Sequence, residues 1–227
     1  MHILVLSDSE MTVEFNQKFS EAGTDLRYTY INSYTNAEPI LDETDVVFDF
    51  LLADNPDQFK LYSSRDLTVF CHSVTIQLAA LAAPFPNHTC TLIGFNGLPT
   101  LFNRPLLEVS LLDKSKEQVL LDVCKALGTD YQLVDDRVGL VTPRIICMII
   151  NEACYTLQEG TASVADIDLG MKLGTNYPKG PLAWADEIGI ANVYKTLAAL
   201  YEDTKEERYK ICPLLKTKYL RNEMFYS

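Results

Sequence analysis

The chain changes its hydrophobic rhythm once, near Gly139, and that change constrains its fold more than any single motif. Before it, short aliphatic and aromatic runs recur at residues 2–6 (HILVL), 26–31 (LRYTYI), 45–52 (DVVFDFLL), 67–71 (LTVFC), 89–94 (TCTLIG) and 106–111 (LLEVSL). Such runs read as buried strands, short and rich in β-branched and aromatic residues. Phe15, Phe19 and Ala22 fall at helical spacing between the first two runs, so the chain opens as strand, helix, strand. Residues 53–66, polar and interrupted by Pro56, read as a linker. From Pro143 onward the strand pattern stops. Residues 144–160 form a long apolar helix ended by glycine, 164–173 a second helix, and 182–201 a third and a fourth. Ser163 is placed to cap the second, with Asp166 three positions on at the positive end of the helix dipole. The expectation is an α/β domain over residues 1–138, built on a mainly parallel sheet with helices on its faces, followed by an all-α domain over residues 139–227.

Composition narrows the partners. With 227 residues, 48% of them hydrophobic, the chain can bury one substantial core or two modest ones. A formal net charge of -12 and the lack of any basic stripe argue against a nucleic-acid partner, because a phosphate backbone must be met by clustered Lys and Arg. No apolar run reaches the roughly 20 residues that a membrane-spanning helix needs, and residues 1–15 lack the basic-then-apolar profile of a secretory leader. A cytoplasmic protein without a membrane partner is therefore expected. Cys71, Cys90, Cys124, Cys147, Cys154 and Cys212 form no C-x-x-C pair, and several sit inside apolar runs; they read as reduced packing residues, with neither a metal site nor a disulfide framework.

The helical half carries a set of residues at fixed spacing. Arg144 is followed by Asn151-Glu152-Ala153, then by Glu159-Gly160, then by Asp166, Ile167, Asp168, Met171 and Gly174. Pro178, Gly180, Pro181 and Leu182 come next, and Asp186, Ile188 and Gly189 complete the series. In this pattern the chain resembles the 3-hydroxyacyl-CoA dehydrogenase family, and 3-hydroxybutyryl-CoA dehydrogenases in particular. The resemblance implies a Rossmann-like domain, here reduced in length, that binds NAD, and a C-terminal helical domain that forms a homodimer and one wall of an acyl-CoA cleft. The motif's glycines and prolines read as helix ends and turns, and Met171, Leu182 and Trp184 as core or interface.

The residues that the resemblance assigns to chemistry lie in the first half, where this chain departs from the pattern. The family's G-x-G-x-x-G loop uses glycine because only a backbone without Cβ turns tightly enough to approach a pyrophosphate resting on a helix N-terminus. Those positions hold Ser7, Ser9 and Thr12, flanked by Asp8 and Glu10. The acid expected at the end of the second strand for a ribose hydroxyl is absent, and Tyr30 and Asn32 stand nearest to it. The catalytic histidine is replaced by Asn96, while its orienting glutamate is kept as Glu108. Pro99-Thr100 replaces the following N-P pair, Thr75 stands for the serine that supports the substrate hydroxyl, and Pro143 for a substrate-contacting asparagine. An amide cannot accept a proton near neutral pH, so these changes predict a relative without hydride transfer that keeps the fold, the dimer and an acyl-CoA pocket. An active NAD-dependent enzyme with a remodelled loop, using His72 as its base, and a non-redox chemistry run by Glu108 are the alternatives.

Overall fold

The computed structural model describes residues 1–20, 23 and 25–226. The chain divides into two units, Met1–Leu140 and Val141–Ser227.

The first unit is a seven-stranded sheet in the order β2-β1-β3-β4-β5-β6-β7. Its strands are β1 (His2–Leu6), β2 (Arg27–Ile31), β3 (Val46–Asp49), β4 (Thr68–His72), β5 (Thr91–Phe95), β6 (Leu106–Leu111) and β7 (Asp130–Val134). All neighbours run parallel except β5 and β6, where Phe95 lies opposite Val109 in an antiparallel pair. Because helices cover both faces, successive side chains of one strand feed two different cores. Ile3, Val5, Phe48, Phe70 and Ile93 point to one face, under Phe15 and Phe19 from the region of α1 (Ser9–Lys18) and Leu120, Val123 and Leu127 of α4 (Glu117–Leu127). Leu4, Leu6, Val47, Val69 and Leu92 point to the other, under Leu41 of α2 (Glu38–Leu41) and Leu78 and Leu81 of α3 (Leu78–Ala82). The first core is strongly aromatic: Phe48 stacks on Phe70 with centroids 4.4 Å apart, and Phe15 meets Phe48 edge-on at 5.2 Å.

Several expectations need correction. Segment 53–66 is no polar linker, since Phe59 and Tyr62, in and just after a 3-10 turn over Pro56–Leu61, are completely buried in the second core. The third strand stops at Asp49 instead of running to residue 52, because Leu52 already begins a 3-10 turn. Neither α4 nor β7 stands out in the sequence; β7 reads DYQLV and has only one neighbouring strand, so it alternates weakly. Ala22, at the end of the first helical pattern, lies outside the described residues.

The second unit is helical throughout its described residues: α5 (Thr142–Gln158), α6 (Val164–Thr175), α7 (Pro181–Ile188), α8 (Ile190–Thr204) and α9 (Pro213–Arg221). The pattern over 182–201 divides into α7 and α8 at Gly189, whose φ of 93° suits a residue without Cβ. The hydroxyl of Ser163 accepts from the Asp166 amide at 3.2 Å, which is the expected cap of α6. No helix of the described residues is long and apolar enough to cross a membrane, and all six cysteines are buried and free.

Candidate functional site

In a parallel sheet the carboxyl ends of the strands present loop backbone to ligands, above all where successive connections leave in opposite directions. Here that point is β1, with β2 on one side and β3 on the other. The chain leaves β1 at Ser7, which is 1% exposed, and enters α1 at Ser9. Asp8 is the N-cap: its backbone is extended, and its carboxylate accepts from the Met11 amide at 2.8 Å. The Ser7 and Thr12 hydroxyls are 2.7 Å apart, and the Thr12 hydroxyl also donates to the Asp8 carbonyl at 2.8 Å. Ser7 and Thr12 thus close on each other, while Ser9 faces outward. A cavity of about 380 Å³ opens beside this turn, lined by Ser7, Asp8, Ser9, Thr12, Tyr30 and Asn32 among others.

At the end of β3, Asp49 is completely buried. It accepts from the Tyr34 hydroxyl at 3.0 Å, the Tyr62 hydroxyl at 2.8 Å and the Leu51 amide at 2.9 Å. Burial raises its carboxyl to about 6, against the opposing pull of these donors, and raises the Tyr62 phenol as well. Nothing in the sequence pairs Asp49 with two tyrosines thirteen and fifteen residues away; the one available signal is a carboxylate inside the apolar run VVFDFLL, which needs donors wherever it is buried.

The β4 to β6 region holds Asn96, Glu108 and Thr75, positions that the resemblance in sequence assigns to catalysis. Asn96 follows β5, is 3% exposed, and spends its groups on the local turn: its amide donates to the Glu108 carbonyl at 3.1 Å, and its side-chain oxygen accepts from the Leu98 amide at 3.2 Å. The antiparallel β5–β6 pairing therefore places Asn96 beside Glu108, which is itself buried. Thr75 is half-buried in the bend between β4 and α3. At the end of β4, Nδ1 of His72 accepts from the Gly97 amide at 2.9 Å, so the neutral ring carries its proton on Nε2. A Cβ at Gly97 would lie 2.9 Å from that Nδ1, which is why glycine stands there. Sequence reasoning also missed the two serines that flank Gly94. Ser73 and Ser110 are buried, their hydroxyls without a hydrogen-bond partner among the described residues, and a Cβ on Gly94 would come within 2.3 and 2.4 Å of them.

In the helical unit the motif residues hold helices together. Asn151 donates to the Lys210 carbonyl at 2.8 Å and accepts from the Cys212 amide at 2.9 Å. Asp168 accepts from the Leu182 and Ala183 amides at 2.8 and 2.9 Å, capping α7 from a neighbouring helix, and from the Tyr226 hydroxyl at 2.8 Å. Asp186 receives the amides of Phe225 and Tyr226. Arg144 donates to the Tyr209 hydroxyl at 2.6 Å, and Pro143 is buried in the first turn of α5.

Residues 139–225 match the profile of the 3-hydroxyacyl-CoA dehydrogenase C-terminal domain. In this helical part the chain is similar to 3-hydroxyacyl-CoA dehydrogenases. It is 45% identical over 100 residues to 3-hydroxyadipyl-CoA dehydrogenase of Escherichia coli, covering 44% of this chain and 21% of that protein. It is 32% identical over 148 residues to 3-hydroxybutyryl-CoA dehydrogenase of Bradyrhizobium diazoefficiens, covering 65% of this chain and 50% of that one. The chain thus spans half or less of the length of these two relatives. Its fold is that of the (S)-3-hydroxybutyryl-CoA dehydrogenase of Ralstonia eutropha, with a TM-score of 0.73 at 22% identity over 98% of this chain and 94% of that one. NAD is the cofactor of this family.

Proposed function

We propose that this chain is a member of the 3-hydroxyacyl-CoA dehydrogenase family that does not transfer hydride, and that it acts as a homodimeric, cytoplasmic binder of acyl-CoA thioesters. The observation that carries the reading is Asn96. Oxidation of a 3-hydroxyl needs a group that takes its proton, and a carboxamide has no lone pair basic enough to do so; loss of such a base costs about 10²- to 10⁴-fold in rate. Asn96 is also committed to the turn, its oxygen holding the Leu98 amide. His72 does not substitute for it. The lone pair of its Nδ1 is taken by the Gly97 amide and its other nitrogen carries the proton, so the neutral ring offers a donor and no base.

Support for a retained thioester ligand comes from relatives whose names specify acyl-CoA substrates and from the helical unit, where the motif residues Asn151 and Asp168 are hydrogen-bonded to neighbouring segments. Support for the homodimer comes from α6, where Leu169 and Leu173 are 53% and 78% exposed on one face. The deciding experiment is NADH oxidation with acetoacetyl-CoA, alongside calorimetry with acetoacetyl-CoA alone. The expected result is thioester binding with no NADH consumption. Turnover at a rate typical of a dehydrogenase would overturn the reading.

A further inference from the structure

We propose that Asp8 is a built-in occupant of the anion position at the start of α1, and that the cavity beside β1 excludes the phosphates of a dinucleotide. This goes beyond the loss of a proton acceptor at Asn96 and stands independently of it. A dinucleotide loop needs three things of a protein: a turn tight enough to bring backbone close to the diphosphate, free amides in the first helical turn, and a local field that favours an anion. The tight turn and the favourable field are missing here, and the supply of first-turn amides is reduced. No residue from Ser7 to Thr12 adopts a positive φ, so the turn runs without the left-handed step that glycine allows. The Met11 amide already donates to the Asp8 carboxylate at 2.8 Å, and the Thr12 amide to the Asp8 carbonyl at 3.1 Å. The inner side of the turn is filled by the Ser7 and Thr12 hydroxyls in mutual contact.

Charge makes the same point. Asp8 is the sole charged residue among those lining the cavity, with no Lys or Arg to balance an incoming phosphate. Glu10 adds a second carboxylate in the first turn of α1, and the whole chain carries -12. The positive end of the α1 dipole, which in a nucleotide site attracts phosphate, is neutralised by the chain's own side chain. NAD therefore does not fit this loop.

The charge can be removed without removing the cap, because Asn serves as an N-cap about as well as Asp. Wild type, Asp8→Asn and Asp8→Gly are titrated by calorimetry with inorganic pyrophosphate, ADP-ribose and NADH, with circular dichroism confirming the fold. Wild type is expected to bind none of the three more tightly than about 1 mM. Asp8→Asn should tighten pyrophosphate binding about tenfold, the effect of one like charge at close range in a partly screened site, and Asp8→Gly by more. Micromolar NADH binding by wild type would overturn the proposal, as would pyrophosphate affinities that are equal in all three proteins. Should Asp8→Gly fail to fold, Asp8→Asn carries the test. Tight NADH binding without turnover would sink this inference and leave the reading of Asn96 standing, whereas turnover would sink that reading.

Discussion

A single buried carboxylate sets the clearest pH signature of the molecule. Asp49 has no exposure, and burial lifts its carboxyl from the ordinary 3.8 to about 6 even though Tyr62, Leu51 and Tyr34 donate to it. A group whose folded-state pKa is raised binds its proton more tightly in the folded chain than in the unfolded one, so it adds stability as pH falls from above 6 toward 4. Above pH 6 the buried charge is a standing cost on the order of 3 kcal/mol, the 3.8-to-6 shift expressed as free energy. Asp49→Asn removes the titration while keeping an acceptor for the tyrosines. Comparing the thermal midpoint of the two proteins between pH 8 and pH 5 isolates this group from all other carboxylates. The wild type should gain on the variant as the pH is lowered, and parallel curves would show that Asp49 titrates at its ordinary value. Asn96 is the opposite case: that its side chain cannot take a proton is readable from the sequence, because residue type alone decides it. What it hydrogen-bonds could not be read, since the contact depends on the antiparallel β5–β6 pairing.

At the level of elements, legibility followed burial pattern. Central strands with both faces covered, such as β1 and β4, were plain in the sequence because each carries an unbroken apolar run, and α5 was plain because its apolar face repeats at helical spacing. The edge strand β7 and the buried 3-10 segment with Phe59 were not, one because it is half solvated and the other because its few apolar residues keep no regular period. The start of α7 shows a device that spacing alone conceals. Its N-cap is Gly180, which has no side chain to offer, and the capping carboxylate arrives from Asp168 on α6. Glycine is required because a Cβ at position 180 would lie 2.2 Å from the Asp168 side chain. Asp168→Ala leaves two first-turn amides and the Tyr226 hydroxyl without their acceptor, and is expected to destabilise by about 2–4 kcal/mol in chemical denaturation. Asp168→Asn, which keeps one acceptor oxygen, should cost about half as much. Gly180→Ala should destabilise even though Ala favours helix over Gly, because the added methyl meets a buried carboxyl. A stabilised Gly180→Ala protein would mean that the α6–α7 contact is looser than these distances state.

For the whole molecule, the open question of assembly is a balance between an apolar stripe and a large like charge. Leu169 and Leu173 are one helical turn apart on α6 and largely exposed, an arrangement that favours burial against a second copy. Two copies, each carrying -12, repel one another, and exposed charges are screened over about 8 Å at physiological ionic strength. The homodimer proposed above should therefore strengthen as salt is added, the reverse of an association held by surface ion pairs. Light scattering on the full chain should give about twice the monomer mass of 25.6 kDa at moderate salt, with dissociation on dilution more pronounced at low salt. Leu173→Glu adds a charge where the stripe is most exposed and should produce monomers whose circular dichroism is unchanged, because a side chain that is 78% exposed contributes little to its own fold. A monomeric wild type at every salt concentration would refute a dimer formed through α6, and a dimer that survives Leu173→Glu would place the contact on another face of the helical unit.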